Sequence, residues 1–205
     1  MNQIYPHVVR RNPLVVFLAV VAVMGVCSGQ LFAQAPVPAG KPVYDPSSKS
    51  YFELVSVYNE GARVFTGRLA LAANWGAANK LAQERVYKGV HGRLAVIRTP
   101  DTYYFLLRTF QSRDIAWIGM RYWCATRTLE WVDGQIQTRT DFQAWARDWD
   151  NSLGLPGSGC NGTQGGERPY MPVAISPVTQ GFEWFAHAGA KEYNLYFVQY
   201  PTGQP

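Results

Sequence analysis

Six residues able to stack on a ligand or exchange hydrogen bonds with it lie in and around a glycine-rich stretch in the second half of the chain. They are Asp148, Trp149, Asp150, Asn151, Asn161 and Glu167. A tryptophan can stack on a sugar ring or a peptide, and neighbouring acids and amides accept and donate hydrogen bonds. We therefore predict a ligand-binding surface within residues 146–170. In the alternative interpretation these residues form a solvated turn, and the tryptophan packs beneath the loop.

Residues 154–166 are rich in glycine and contain almost no apolar side chain. This composition predicts a long surface loop. A compact domain seldom keeps such a loop without a use for it, so we expect a binding function to reside here.

The sequence contains few residues in arrangements typical of a catalytic site. His91 and His187 have no cysteine, histidine or acidic partner at the spacing of a zinc site. Arrangements of nucleophile and base, phosphate-binding loops and dinucleotide fingerprints are also missing from the sequence. We predict that the protein is not an enzyme, and a hydrolase acting on envelope glycans is the least supported class.

The elements that position this loop begin with an aromatic and β-branched strand at Tyr51–Val57. Asn74 is predicted to cap a first amphipathic helix starting at Trp75. Thr99-Pro100-Asp101 is a typical helix start, and the second helix is expected to bury Tyr104, Leu107 and Phe110. Further strands are predicted at residues 171–175, 181–185 and 193–198.

Three tryptophan motifs occupy the middle of the chain. Trp117-Ile118-Gly119-Met120 is typical of a buried strand with a close backbone approach, and Trp131-Val132-Asp133-Gly134 carries a hairpin turn signal. Phe142-Gln143-Ala144-Trp145 follows. We predict that Trp117 and Trp131 are buried and that Gly119 tolerates no side chain.

The order of these motifs, together with Trp75 and the strand Gly92–Ile97, resembles the C-type lectin-like domain between Tyr51 and Tyr200. This resemblance implies an α+β fold, in which two helices flank a looped, mainly antiparallel β-sheet with a long inserted loop. The residues that carry the core motif are Trp75, Trp117, Gly119, Trp131, Asp133 and Gly134.

The cysteines depart from the family pattern. Ala82 and Gln199 stand where the family usually bridges the first helix to the last strand, so hydrophobic packing is expected to hold that closure. Cys124 and Cys160 match neither of the usual family pairs. They are the two cysteines that remain after removal of an export signal, and we predict that they form a disulfide.

Calcium binding is disfavoured. The family's calcium-dependent sugar site uses an acid-Pro-amide triplet in the loop and a Trp-Asn-Asp triplet in the next strand, because calcium prefers six to eight oxygen ligands. This chain has Glu167-Arg168-Pro169 and Trp184-Phe185-Ala186 instead. We predict no cofactor, and calcium remains the disfavoured alternative.

The N-terminus predicts export. Arg10 and Arg11 precede the apolar run Leu14–Val26, and Ala33-Gln34-Ala35 follows, which is typical of a signal peptide spanning residues 1–35. An uncleaved anchor is the alternative, and Cys27 raises a weaker possibility of lipidation.

After cleavage we expect a Pro/Ser-rich linker at 36–50 and one domain at 51–205, without a membrane span. Removal of the two arginines lowers the formal net charge from +5 to +3. The basic residues are scattered, which argues against a nucleic acid partner. The predicted localisation is secreted, periplasmic or in the cell envelope.

The sequence therefore predicts an exported recognition module that binds a glycan or protein surface without calcium. A structural or assembly protein of the cell envelope is the alternative from another class. A calcium-dependent lectin is the third possibility.

We predict that the mature protein begins at Pro36, because Ala33 and Ala35 are the best-placed pair of small residues after the apolar run. N-terminal sequencing of exported material measures this start. A chain that keeps Met1 and stays on the membrane would be anchored, and a chain that starts at Cys27 would be lipidated.

Overall fold

The computed structural model describes residues 40–58, 72–147, 160, 169–187 and 191–205. Within these ranges the chain forms two α-helices, one short 3₁₀ helix at Val178–Gln180 and eleven strands, nine of which build one sheet. The elements in chain order are β1 (Val43–Asp45), β2 (Ser50–Ser56), α1 (Trp75–Glu84), β3 (Val86–Tyr87), β4 (Val90–His91), β5 (Arg93–Leu94), α2 (Pro100–Phe110), β6 (Ala116–Trp123), β7 (Thr128–Trp131), β8 (Ile136–Gln137), β9 (Tyr170–Ile175), β10 (Trp184–Ala186) and β11 (Leu195–Tyr200). No helix in these ranges is long and apolar enough to cross a membrane.

The main sheet has the strand order β1-β2-β11-β6-β7-β8, with β5 paired to β11, β9 to β6 and β10 to β9. Every pairing is antiparallel except that of β11 with β6. β3 and β4 form a separate hairpin. The predicted class, two helices flanking a looped and mainly antiparallel sheet, is confirmed.

The sheet starts earlier than the predicted domain boundary at Tyr51. β1 lies within the predicted linker and pairs with β2. Asp45 explains this, because its buried carboxylate accepts hydrogen bonds from Ser47, Ser48 and Thr102. The serines of the supposed linker therefore satisfy a buried charge.

Two apolar cores cover the two faces of the sheet. Alternate residues of β11 point to opposite faces, so Tyr196 belongs to the core beneath α1 and Phe197 to the core beneath α2. α1 buries Trp75, Ala78 and Ala82.

The second helix faces the sheet in a different rotation from the one predicted. α2 buries Tyr103, Leu106 and Phe110, whereas Tyr104 is exposed. The expectation for Tyr104 was wrong because the Tyr103 ring packs against Phe182 and its hydroxyl donates to the Phe182 carbonyl at 2.9 Å. Leu107, the other predicted core residue, is only partly buried.

Both helices start where the sequence predicted. The Asn74 side chain accepts a hydrogen bond from the backbone N–H of Ala77 at 2.9 Å. Thr99 accepts from the N–H of Thr102 at 3.2 Å, and Pro100 occupies the first helical turn. Each cap satisfies a backbone donor that the helix itself leaves unpaired.

The tryptophans of the core motif are buried, and each indole N–H has an acceptor. Trp75 donates to the Ile118 carbonyl at 2.7 Å, and Trp117 donates to the Ala73 carbonyl at 2.8 Å. The predicted burial of Trp117 and Trp131 is confirmed, since both are 0% exposed. The indoles thus join α1 and its preceding segment to β6 through hydrogen bonds as well as apolar contact.

Gly119 lies where β6 passes closest to other backbone. Its N–H donates to the Ala95 carbonyl and its carbonyl accepts from the N–H of Val132. A Cβ at this position would lie 2.6 Å from the Leu94 carbonyl oxygen and 2.8 Å from the Val132 side chain. The prediction that this position has no room for a side chain is therefore confirmed.

The hairpin after β7 is fixed by a charge as well as by its glycine. Gly134 adopts φ +84°, and the Asp133 carboxylate lies 2.5 Å from Arg98 and 3.6 Å from Arg93. Burial lowers the pKa of Arg93, and the charge of Asp133 opposes this effect. Asp133 therefore ties the hairpin to the β5 segment.

The closure between α1 and the last strand contains a buried ion pair. Glu53 on β2 is 0% exposed, and its carboxylate accepts hydrogen bonds from Arg85 Nη2 at 2.5 Å and from the Tyr200 hydroxyl at 2.6 Å. Burial lowers the pKa of Arg85, but its contacts with Tyr200 and Glu53 outweigh this and raise it. The expectation that hydrophobic packing alone holds this closure was therefore incomplete.

Ala82 and Gln199, which stand where the family usually has a disulfide, make other contacts in this chain. Ala82 is fully buried in the core beneath α1. The amide oxygen of Gln199 accepts from Arg93 Nε and the Val96 N–H, and its nitrogen donates to the Ser50 hydroxyl. Gln199 is thus a polar link among β2, β5 and β11.

His187 lies between the sheet and the segment before β11. It is half-buried, its ring contacts those of Trp117 and Phe185, and it shares a hydrogen bond with the Tyr193 hydroxyl. Burial, with a smaller contribution from Lys191, lowers the pKa of His187 to about 4. Burial also raises the pKa of Tyr193 to about 12. The imidazole is therefore neutral at physiological pH.

We predict that Gly119→Ala destabilises the protein by several kcal/mol, because backbone oxygens must move to admit the methyl group. Gly76→Ala is the matched control, since a Cβ there meets atoms only at 3.5 and 3.6 Å and the position lies within α1. Urea unfolding measures both. Equal stability of the two variants would contradict the close packing at Gly119.

We also predict a loss of stability on acidification that is specific to His187. Between about pH 6.5 and pH 4 the unfolded chain binds a proton at this residue and the native state does not, so stability falls as the pH falls through this window. We expect a loss of about 1 to 2 kcal/mol, less than the full pKa shift implies because the ring is partly exposed.

His187→Gln is the control, because it keeps an acceptor for Tyr193 and does not titrate. Urea unfolding at pH 7, 5.5 and 4 should show a smaller pH-dependent loss in the variant. Identical pH profiles for the two proteins would show that burial does not lower the pKa of His187 in the folded protein.

Candidate functional site

The residues predicted to bind ligand lie outside the described ranges. They are Asp148, Trp149, Asp150, Asn151, Asn161 and Glu167. The structure describes the framework to which their segments are attached, and that framework holds the loop at three points.

The first attachment is at the start of the loop, beside β10. The backbone N–H of Trp184 donates to the Ala144 carbonyl at 2.6 Å, and the N–H of Ala146 donates to the Trp184 carbonyl at 2.9 Å. Trp145 forms a parallel bridge with Trp184, and their ring centroids lie 5.7 Å apart. The chain therefore leaves the sheet from a fixed position.

The second attachment is covalent. Cys124, directly after β6, and Cys160 form a disulfide with a Cα–Cα distance of 5.9 Å. The predicted pairing is confirmed. The bond closes a loop with a sequence separation of 36 residues, which stabilises by roughly 3 to 4 kcal/mol in the chain-entropy model.

The third attachment is at the end of the loop. The N–H of Cys124 donates to the Pro169 carbonyl at 3.1 Å, and Tyr170 pairs with Trp123 at the start of β9. The disulfide divides the loop into residues 147–159 and 161–168, and the predicted ligand-binding residues fall in both parts. Cys124 is therefore the point at which β6, Cys160 and the end of the loop meet.

A cluster of charge and aromatic rings, which the sequence analysis did not identify, lies beside this point. Arg121 and Trp123 project from the same face of β6, because alternate residues of a strand share a face. The Arg121 guanidinium lies 4.5 Å from the Trp123 ring centroid and 5.9 Å from that of Tyr170. We call Arg121, Trp123, Glu130 and Tyr170 the β6 cluster.

Glu130 on β7 completes the β6 cluster. One carboxylate oxygen lies 3.3 Å from Arg121 Nη2, and the other accepts from the Trp123 indole N–H at 2.6 Å. Burial raises the pKa of Tyr170, and the charge of Arg121 opposes this effect. The sequence signal for the cluster was the alternation Arg121-x-Trp123 followed by Glu130 across a hairpin.

β10 stands where the family resemblance places half of a calcium site. Ala186 is buried against β9, and the Phe185 ring packs against His187 at a centroid distance of 4.8 Å. Neither side chain contains an oxygen, so this strand does not fit a calcium ion. Among the described residues, no group of three or more His, Cys, Asp or Glu side chains is arranged to hold a metal.

An open groove of about 420 Å³ lies at the end of β6 opposite the disulfide. It is bounded by the segments before β6, after β9 and before β11, at the opposite ends of these strands from Trp123 and Tyr170. Its lining residues are Arg113, Asp114, Ile115, Pro177, Gln180, Glu192, Tyr193 and Asn194. The groove has mixed charge.

No protein-family model and no curated protein matches this sequence. Solved structures do match the fold. Human lithostathine aligns with a TM-score of 0.51 at 13% identity, covering 82% of this chain and 98% of that one. The C-type lectin CEL-I from Cucumaria echinata aligns with a TM-score of 0.49 at 14% identity, covering 81% and 96%. Two helices around a looped, mainly antiparallel sheet, together with the alignment to lithostathine, show that the chain has the C-type lectin-like fold.

Proposed function

We propose that the protein is an exported recognition module that binds a glycan or protein surface without calcium through residues 146–170. The observation that carries this proposal is the three-point attachment of the loop to a rigid sheet. A scaffold that fixes both ends and an internal residue of a loop reduces the entropy lost when that loop binds a ligand.

The proposed ligand-binding residues combine one aromatic ring with hydrogen-bonding groups. Trp149 offers a stacking surface, and Asp148, Asp150 and Asn151 lie beside it in the sequence. Asn161 and Glu167 belong to the other part of the loop, and Asn161 follows Cys160 directly in the sequence. This composition suits sugar hydroxyls or peptide amides.

Independence from calcium follows from the donor atoms of β10. Phe185 and Ala186 supply carbon where the family's calcium site needs oxygen, and Arg168 adds positive charge beside Glu167. We therefore propose that ligand binding uses side-chain stacking and hydrogen bonds alone. The proposal includes no catalytic step.

The predicted signal peptide also supports a second candidate. An exported domain also suits a structural or assembly protein of the cell envelope, in which the fold is only a stable scaffold. Under this hypothesis, substitutions in the loop leave assembly unchanged and no ligand is retained.

The test is a glycan and protein array probed with the mature domain in calcium and in chelator. We expect saturable binding to at least one ligand, equal in both conditions. Trp149→Ala and Asp150→Asn should weaken it at least about tenfold, since a stacked ring or a charge-assisted hydrogen bond contributes roughly 1.5 to 3 kcal/mol.

The matched controls are Tyr104→Ala and Asp101→Asn on α2, both exposed and on the face of the sheet away from α1. They should bind like the wild type. Loss of binding in chelator, together with a calcium-dependent thermal shift, would instead identify a calcium-dependent lectin. Absence of any bound ligand would favour the envelope scaffold.

A further inference from the structure

We propose that Arg121 binds the carboxylate of an acidic saccharide at the β6 cluster. This inference rests on the proposed recognition function and adds a ligand class to it. The proposed site consists only of residues that the structure describes, and none of them is among the six loop residues predicted from the sequence.

Packing against aromatic rings holds the Arg121 guanidinium in place. Its central carbon lies 4.5 Å from the Trp123 ring centroid, 5.4 Å from that of Trp75 and 5.9 Å from that of Tyr170. Trp75 is itself fixed by its hydrogen bond to the Ile118 carbonyl. A planar cation held among rings loses little side-chain entropy when it binds an anion.

The hydrogen-bonding capacity of this guanidinium is largely unused by the described residues. Its Nη2 reaches Glu130 at 3.3 Å, a single long contact, although arginine and carboxylate can pair through two short ones. Arg121 Nε is buried without a hydrogen-bond partner in the described ranges. The side chain is 23% exposed, so part of it is open to an incoming anion, although Nε itself is buried.

The chemistry of the β6 cluster favours a carboxylate on a sugar. A guanidinium fork matches the two oxygens of a carboxylate, whereas a neutral sugar offers only weaker hydroxyl acceptors. The Trp123 indole beside it is partly exposed, and aromatic edges suit the C–H surface of a pyranose ring. The cluster adjoins Cys124, so it lies beside the disulfide and the end of the loop.

Glu130 is the internal competitor for the same cation. The Glu130 side chain is 21% exposed, and its carboxylate contacts Arg121 and accepts a hydrogen bond from the Trp123 indole N–H. An acidic ligand must therefore bind against a nearby like charge. If Arg121 binds the ligand, removing the Glu130 charge should strengthen ligand binding. If Arg121 has a purely structural role, the same change would only weaken the contacts that hold its side chain.

The experiment measures binding of oligogalacturonate to the mature protein by isothermal titration calorimetry, with the methyl-esterified oligomer as the uncharged match. We expect binding of the acidic oligomer only. Arg121→Gln should weaken it at least about tenfold, as loss of a charge-assisted pair predicts. Glu130→Gln should strengthen it, because an amide keeps an acceptor for Trp123 and removes the charge.

Arg108→Gln is the matched control, because Arg108 also lies over a tyrosine ring, at 5.6 Å from that of Tyr104, but both residues are on the exposed face of α2. It should bind the acidic oligomer as the wild type does. Near-ultraviolet circular dichroism checks that each variant is folded, and Arg121→Lys serves if the glutamine variant is not. Lysine keeps the charge without the fork and should weaken binding partially.

Three outcomes would overturn the inference. They are equal affinity for the acidic and esterified oligomers, weaker binding by Glu130→Gln, or tight binding of poly-L-glutamate in place of the saccharide. If the array identifies a neutral ligand whose binding depends on Trp149 but not on Arg121, this inference fails and the proposed function stands. If the array identifies no ligand at all, the proposed function fails as well.

Discussion

Burial of the Glu53 carboxylate is the constraint on which the closure of this fold depends. A fully buried charge is costly unless it is paired and hydrogen-bonded. Arg85, directly after α1, and Tyr200, at the end of β11, supply those partners. The carboxylate thus fixes one helix and the two central strands relative to one another. A buried ion pair is weak evidence of net stability, but removing one partner typically costs about 3 to 5 kcal/mol.

The two kinds of cross-link in this domain have different tasks. The closure of α1 and β2 against β11 uses an ion pair, the Gln199 hydrogen bonds and two apolar cores, none of which depends on redox state. The Cys124–Cys160 disulfide instead joins the end of β6 to the middle of the long loop. β6 connects the two tasks, since Gly119 lets it approach β5 within the core while its last residues carry the loop attachments.

Much of the scaffold could be predicted from the sequence because its signals are local. Helix caps depend on one side chain and the next few N–H groups, so Asn74 and Thr99 were identified correctly. Strand β1 and the ion pair of the closure were not predicted, because Asp45 and Glu53 acquire their roles from partners distant in the chain. The β6 cluster was missed for the same reason, since Tyr170 joins Arg121 only through strand pairing. The six predicted loop residues lie outside the described ranges, so their role remains a prediction.

The Glu53 closure and the disulfide thus act separately, and native-state hydrogen exchange tests this separation most directly. The measurement compares the β2 and β11 amides in the oxidised protein and in the Cys124→Ser/Cys160→Ser variant. We expect these amides to stay strongly protected in both proteins, because the Glu53 closure needs no disulfide. We also expect the variant to lose stability by roughly the loop-closure term of 3 to 4 kcal/mol or less. Loss of protection in β2 and β11 of the variant, at a stability that keeps the protein folded, would contradict the account.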